Sequence, residues 1–136
     1  MQEFGLKDIE ALTLGATLLG TGGGGDPYIA RLMARQAIED FGPVKIVQAQ
    51  DLPPDARVLT IAVIGAPTVV VEKVPGGSEF TGAVKALASF LGDEVAAIMP
   101  IEVGGMNTLV PLGLGGVLVL GSVALGVVTG ALALWL

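Results

Sequence analysis

The chain has 136 residues, of which 52% are hydrophobic and 15% charged, with a formal net charge of −6; ordinary globular domains carry roughly 25% charged residues. It contains no Cys and no His, which excludes disulfides, a thiol nucleophile, Cys/His zinc sites and imidazole acid–base chemistry. Seven Lys and Arg, none after Lys85, argue against nucleic acid as a partner, because phosphate neutralisation needs clustered basic side chains.

This length allows one domain at most. The amino terminus, Met1-Gln2-Glu3-Phe4-Gly5, lacks the basic-then-apolar order of a secretory signal, so the body reads as cytoplasmic. Asp8 is placed to cap a helix running to about Leu19, with Ile9, Leu12, Ala16 and Leu19 on one face and Gly20 as its stop. A loop of four glycines comes next, Gly22 to Gly25. Asp26-Pro27 then opens a second helix, with Asp at the N-cap and Pro in the first turn. Its apolar stripe is Ile29, Leu32, Met33 and Ala37, and Gly42-Pro43 ends it.

Val44 to Ala49 alternates enough for a short strand. Val58 to Ile64 is nearly all apolar and β-branched, which predicts a strand buried on both faces. Beyond Gly65-Ala66-Pro67 lies a less regular stretch with Glu72 and Lys73. A third helix is predicted over Glu79–Leu91, with Phe80, Ala83, Val84, Leu87 and Leu91 on one face. Val95 to Met99 is a further buried strand, ended by Pro100. The order strand, helix, strand implies a parallel pair with a right-handed crossover. Loops after two parallel strands leave the sheet on one edge, where α/β folds bind ligands, so Glu72 and Glu102 can converge. The fold class is therefore α/β, a partial three-layer fold with a small parallel sheet and flanking helices.

Two segments are candidates for chemistry. Four consecutive glycines expose backbone N–H groups and permit close approach of a ligand beside the helix that Asp26 starts. The loop has neither the Lys-Ser/Thr of a P-loop nor a preceding strand, and Asp26 repels an anion. A tight helix–helix turn and a ligand-contacting loop both fit it. The second candidate is Pro100-Ile101-Glu102-Val103-Gly104-Gly105-Met106-Asn107-Thr108. Glu102 just past a buried strand can act as a general base, and Asn107 can hold a substrate carbonyl or amide; a strand-end turn with a solvated Glu fits equally. Glu72-Lys73 reads as surface unless other residues join it.

Taken in order, Leu19-Gly20-Thr21-Gly22-Gly23-Gly24-Gly25-Asp26-Pro27, Gly65-Ala66-Pro67 with Glu72-Lys73, and Met99-Pro100-Ile101-Glu102-Val103-Gly104-Gly105-Met106-Asn107 resemble the amino-terminal region of the S-methyl thiohydantoin desulfurase family. The resemblance covers roughly residues 1 to 111. It implies a two-domain α/β enzyme that removes a sulfur substituent from a hydantoin-like ring by attack of water, with the substrate as its small-molecule partner. It also raises the expectation that Gly22, Gly23, Gly24, Gly25, Asp26, Glu72, Glu102 and Asn107 serve one site. Glu102 is then expected to activate water, Asn107 and the loop amides to hold the ring's polar edge, and Glu72 to orient its neighbours. No cofactor is identified; carboxylates can hold Mg²⁺, but no ligand spacing here demands it. Self-association into a homo-oligomer is left open.

After Pro111 the family's Gly-rich Asp-x-Asp stretch, its further Arg/Pro/Glu motif and its second domain do not appear, so an incomplete enzyme, inactive alone, is expected. Residues 112–136 read instead as an apolar Gly/Leu/Val tail. From Pro111 the segment holds eight Leu, five Val, six Gly and three Ala, and 26 helical residues would reach about 39 Å, enough to span a bilayer. Ser122, Gly126 and Gly130 have the spacing of packed membrane helices. Against a membrane helix stand the glycines and the lack of flanking Lys or Arg. An aberrant terminus and a buried strand or core helix are the other readings. Two further functions stay open: a non-catalytic module binding an anion or nucleotide through the Gly loop, and a membrane-tethered interaction protein.

Overall fold

A computed structural model describes residues 2–73, 76, 78–117 and 123–124. Its elements in chain order are β1 (Gln2–Phe4), a 3₁₀ turn (Leu6–Asp8), α1 (Ile9–Gly20), α2 (Pro27–Phe41), β2 (Val44–Val47), a second 3₁₀ turn (Ala49–Asp51), β3 (Val58–Ile61), α3 (Pro67–Glu72), α4 (Ser78–Leu91), β4 (Ala97–Pro100), α5 (Gly105–Val117) and β5 (Val123–Ala124). The strands form one sheet in the order β1-β2-β5-β4-β3. β1 pairs antiparallel with β2, while β2–β5, β5–β4 and β4–β3 are parallel. The chain is thus α/β, and the β3-α4-β4 unit is the parallel pair expected from the sequence.

α5 is the centre of the molecule. It lies against the sheet, chiefly β4 and β2, while α1 and α2 pack onto its outer side. Leu109 and Leu112 of α5, Leu12 of α1, Ala34 of α2 and Ile98 of β4 are almost wholly buried in one core cluster. Among the described residues the other sheet face carries only a small cluster, Val47 and Ala97 with Leu52, Val58 and Met99 beside them. Hydrophobic burial is therefore concentrated on the α5 side.

Several sequence expectations shift. Gly20 does not stop α1 but is its last residue; Thr21 caps it with a left-handed backbone, φ 44°. Asp8 precedes α1, yet its side chain accepts from the Gly5 N–H instead of capping that helix. On α2 the buried stripe is Ala30, Ala34, Ala37 and Ile38, and Leu32 is exposed. Alanines fill this seam because α2 and α5 lie close; a leucine stripe would hold them apart. β3 is shorter than Val58–Ile64 and is not buried on both faces, because it is the edge strand and, among the described residues, no helix packs into the small cluster on one sheet face. On α4 only Val84 is buried, with Leu87 and Leu91 exposed, since the helix packs against that same edge. The stretch holding Glu72 is helical. Pro100 lies inside β4 rather than beyond it, partnered with Ile61.

α5 runs through Pro111 to Val117, and Val123–Ala124 pair with both β2 and β4 in the middle of the sheet. Among the described residues no helix is long and apolar enough to cross a membrane. Residues 118–122 and 125–136, on which the membrane-helix reading of the tail largely rests, lie outside the described residues.

Candidate functional site

The glycines of the two candidate segments meet backbone to backbone. A Cβ at Gly20 would lie 2.8 Å from the Gly105 nitrogen, and one at Gly104 would lie 2.6 Å from the Gly20 Cα. A Cβ at Gly24 would collide with the backbone of Gly104, and one at Gly105 with the backbone of Gly24. Gly24, Gly104 and Gly105 also hold φ values of 72°, 127° and 59°, a region that disfavours any residue with a Cβ. The joint is closed by the Met106 N–H, which donates to the carbonyls of Gly24 (2.9 Å) and Gly25 (3.2 Å). Thr108 Oγ1 accepts the Gly104 N–H at 2.7 Å. Gly22 differs: its φ is 92°, but a Cβ there meets nothing. Asp26 then caps α2, accepting the Tyr28 N–H at 2.9 Å, with Pro27 in the first turn as the sequence indicates.

This joint anchors the start of α5 beside the carboxyl ends of β3 and β4. There Asn107, 3% exposed, is fully engaged. Its Oδ1 accepts the Val63 N–H at 2.7 Å, and its Nδ2 donates to Glu102 Oε1 at 2.7 Å and lies 3.5 Å from the Val63 carbonyl. The amide thus reads the backbone beyond one strand and fixes a carboxylate beyond the next. Charge assistance makes the bond to Glu102 the strongest of the three.

Glu102 and Asn107 open onto a cavity of about 610 Å³. Gly22–Gly25 line one side, residues 62–66 another, and Val69, Val70, Ile101 and Met106 complete an apolar wall. The volume lies in the range of small-molecule sites. The position, at the carboxyl edge of a parallel sheet, is where α/β folds place ligands. A second cavity of about 360 Å³ shares Gly25, Val70 and Met106 with the first and is lined by Asp26 and Glu72. The structure therefore brings Gly22, Gly23, Gly24, Gly25, Glu102 and Asn107 around one cavity and places Asp26 and Glu72 in its neighbour. Val63 and Met106 are site residues that the sequence reading did not single out. Val63 acts through its backbone, which leaves no mark on residue type. Among the described residues no group of three or more Asp or Glu could hold a metal ion.

A family model described as the S-Me-THD-like N-terminal domain matches residues 7–124. The chain belongs to this family. The match runs past Pro111, beyond the last of the sequence motifs, and takes in all of α5 and β5. In fold the S-Me-THD-like domain is similar to a crystal structure of a protein from Chromobacterium violaceum, solved as a structural-genomics target, with a TM-score of 0.62 and 24% identity. The similarity covers 90% of this chain and 34% of that one, so the chain spans about a third of that protein's length. Comparison with curated proteins gives no match.

Proposed function

We propose that this domain supplies the water-activating half of a hydrolase acting on hydantoin-like rings, releasing the sulfur substituent of an S-methyl thiohydantoin. The observation that carries the proposal is the Val63–Asn107–Glu102 relay at the edge of the cavity. A carboxylate held by one oxygen keeps its other oxygen for a proton, which is the arrangement general-base catalysis needs. Glu102 takes a proton from water as the water oxygen bonds to the ring carbon that bears sulfur. As the water oxygen adds, the C=N electron pair shifts to the ring nitrogen, which takes up the remaining hydroxyl proton. The C–S bond then breaks as the carbonyl forms, the proton on Glu102 passes to the departing thiolate, and the products are methanethiol and the hydantoin.

Asn107 is a positioning residue in this scheme, because its amide is already committed to Val63 and Glu102. Holding the ring then falls to the loop backbone of Gly22–Gly25 and to the apolar wall. Glu72, in the adjoining cavity, has no part in the proton transfer. The anion- or nucleotide-binding alternative draws no support from the cavity, which has no Lys or Arg in its lining among the described residues.

The test is methanethiol release from S-methyl thiohydantoin by a full-length family member, before and after Glu→Gln at the position equivalent to Glu102. The change should lower kcat by at least about 100-fold, the usual worth of a general base. Turnover within a few-fold of the parent removes Glu102 from the role. For this chain alone, unsubstituted hydantoin should shift the backbone NMR signals of Val63, Glu102 and Asn107.

A further inference from the structure

We infer that the site selects its ring by charge, taking one whose substituent is apolar or cationic and discriminating against one that carries a carboxylate. The inference rests on the reading of the cavity as a hydantoin site and adds the substituent to it. Glu102 is the one charged residue lining the main cavity among the described residues. The adjoining cavity, reached across Gly25, Val70 and Met106, adds Asp26 and Glu72. A ligand long enough to extend from one cavity into the other therefore passes three carboxylates.

No Lys or Arg lines either cavity among the described residues. Arg31, Arg35 and Arg57 are engaged elsewhere, by Glu10, Glu39 and Asp93. Lys73 follows Glu72 in the chain but lines neither cavity. The whole chain carries a net charge of −6, so the long-range field has the same sign as the local one. An anionic substituent would leave water, meet like charge and find no counter-ion. An apolar one meets Ile64, Val69, Val70, Ile101 and Met106, and burying it is favourable.

The experiment is an NMR titration of this chain with three hydantoins, bearing isobutyl, aminobutyl or carboxymethyl at ring carbon 5, at about 20 mM and about 300 mM salt. At low salt the carboxymethyl compound should bind at least about fivefold more weakly than the isobutyl compound, the size of a few screened like-charge contacts. High salt should narrow that gap. Ile64→Lys should narrow it too, by placing a cation on the cavity wall at a side chain that is 90% exposed and holds nothing in place. Equal affinity of the acidic and isobutyl compounds at low salt overturns the charge selection and leaves the hydantoin reading standing. Binding of none of the three removes the hydantoin reading, and the charge selection with it.

Discussion

Two glutamates succeed two neighbouring parallel strands, and only one is fixed. Glu102 lies two residues beyond β4 and is gripped by a buried amide that is itself anchored on the continuation of β3. Glu72 ends α3, a six-residue helix beyond β3, and among the described residues its side chain makes no hydrogen bond. In sequence both are acids that follow a buried strand toward the same edge of the sheet, although Glu72 lies farther from its strand and reads as surface. The difference lies in the path of the chain beyond each. After Glu102 the chain turns at once, through Gly104 and Gly105, into the central helix, so that Asn107 comes to lie beside it. After Glu72 the chain leads to α4, at the edge of the sheet. A glutamate becomes a candidate base when the backbone returns close behind it.

The largest effect should come from breaking that return. Gly24→Ala and Gly105→Ala each put a Cβ into the opposing backbone at a positive φ. Overpacking of about 1–3 kcal/mol then adds to strain of about 1–3 kcal/mol, a large share of a small domain's stability. Urea unfolding of these variants should show a sharply lowered midpoint or no folded baseline. Gly22→Ala is the control: its φ is positive but its surroundings are open, so only the strain of about 1 kcal/mol remains. Equal losses at Gly22 and Gly24 would mean that the two loops are not interlocked.

The same joint separates the legible from the hidden. The Gly run, the Glu-x-Gly-Gly-x-Asn block and the β3-α4-β4 unit are legible in the sequence because each is local: glycine marks a backbone requirement, and an apolar run between turns marks a strand. Gly20 and Gly105 touch although most of the chain lies between them, and nothing in either segment names the other. α5 is hidden for a different reason. It contains Pro111 as well as Gly113, Gly115 and Gly116, which intrinsic propensity counts against a helix. Burial against the sheet and α2 overrides that preference. On α2, alanine carries the seam while bulkier Leu32 is exposed, because periodicity ranks residues by hydrophobicity and close helix packing selects them by size.

Intermediate effects should come from the relay and the cap. Asn107→Ala removes the partner of the Val63 N–H and releases Glu102. Leaving a part-buried donor unpaired costs about 1–3 kcal/mol, and the fall in urea midpoint should reach that size. Asn107→Asp should not rescue it, since the amide N–H that Glu102 accepts is replaced by a second carboxylate. Asp26→Ala removes the α2 cap, and a loss of about 0.5–2 kcal/mol is expected. Amide exchange should quicken at Tyr28 and its neighbours while the Val63 signal stays put. A change at Val63 in the Asp26 variant would show that the loop transmits strain through the glycine joint into the relay.

The smallest effect should be at Glu72. Its side chain is exposed and has no hydrogen-bond partner among the described residues, so conversion to Gln should change stability by less than about 0.5 kcal/mol. In a full-length family member, the equivalent change should leave kcat within a few-fold, against the loss of at least about 100-fold expected at the Glu102 position. A loss at Glu72 approaching that at Glu102 would erase the distinction between the fixed and the free glutamate. It would require the two cavities to act as one, with α3 closing toward the relay when a ring binds.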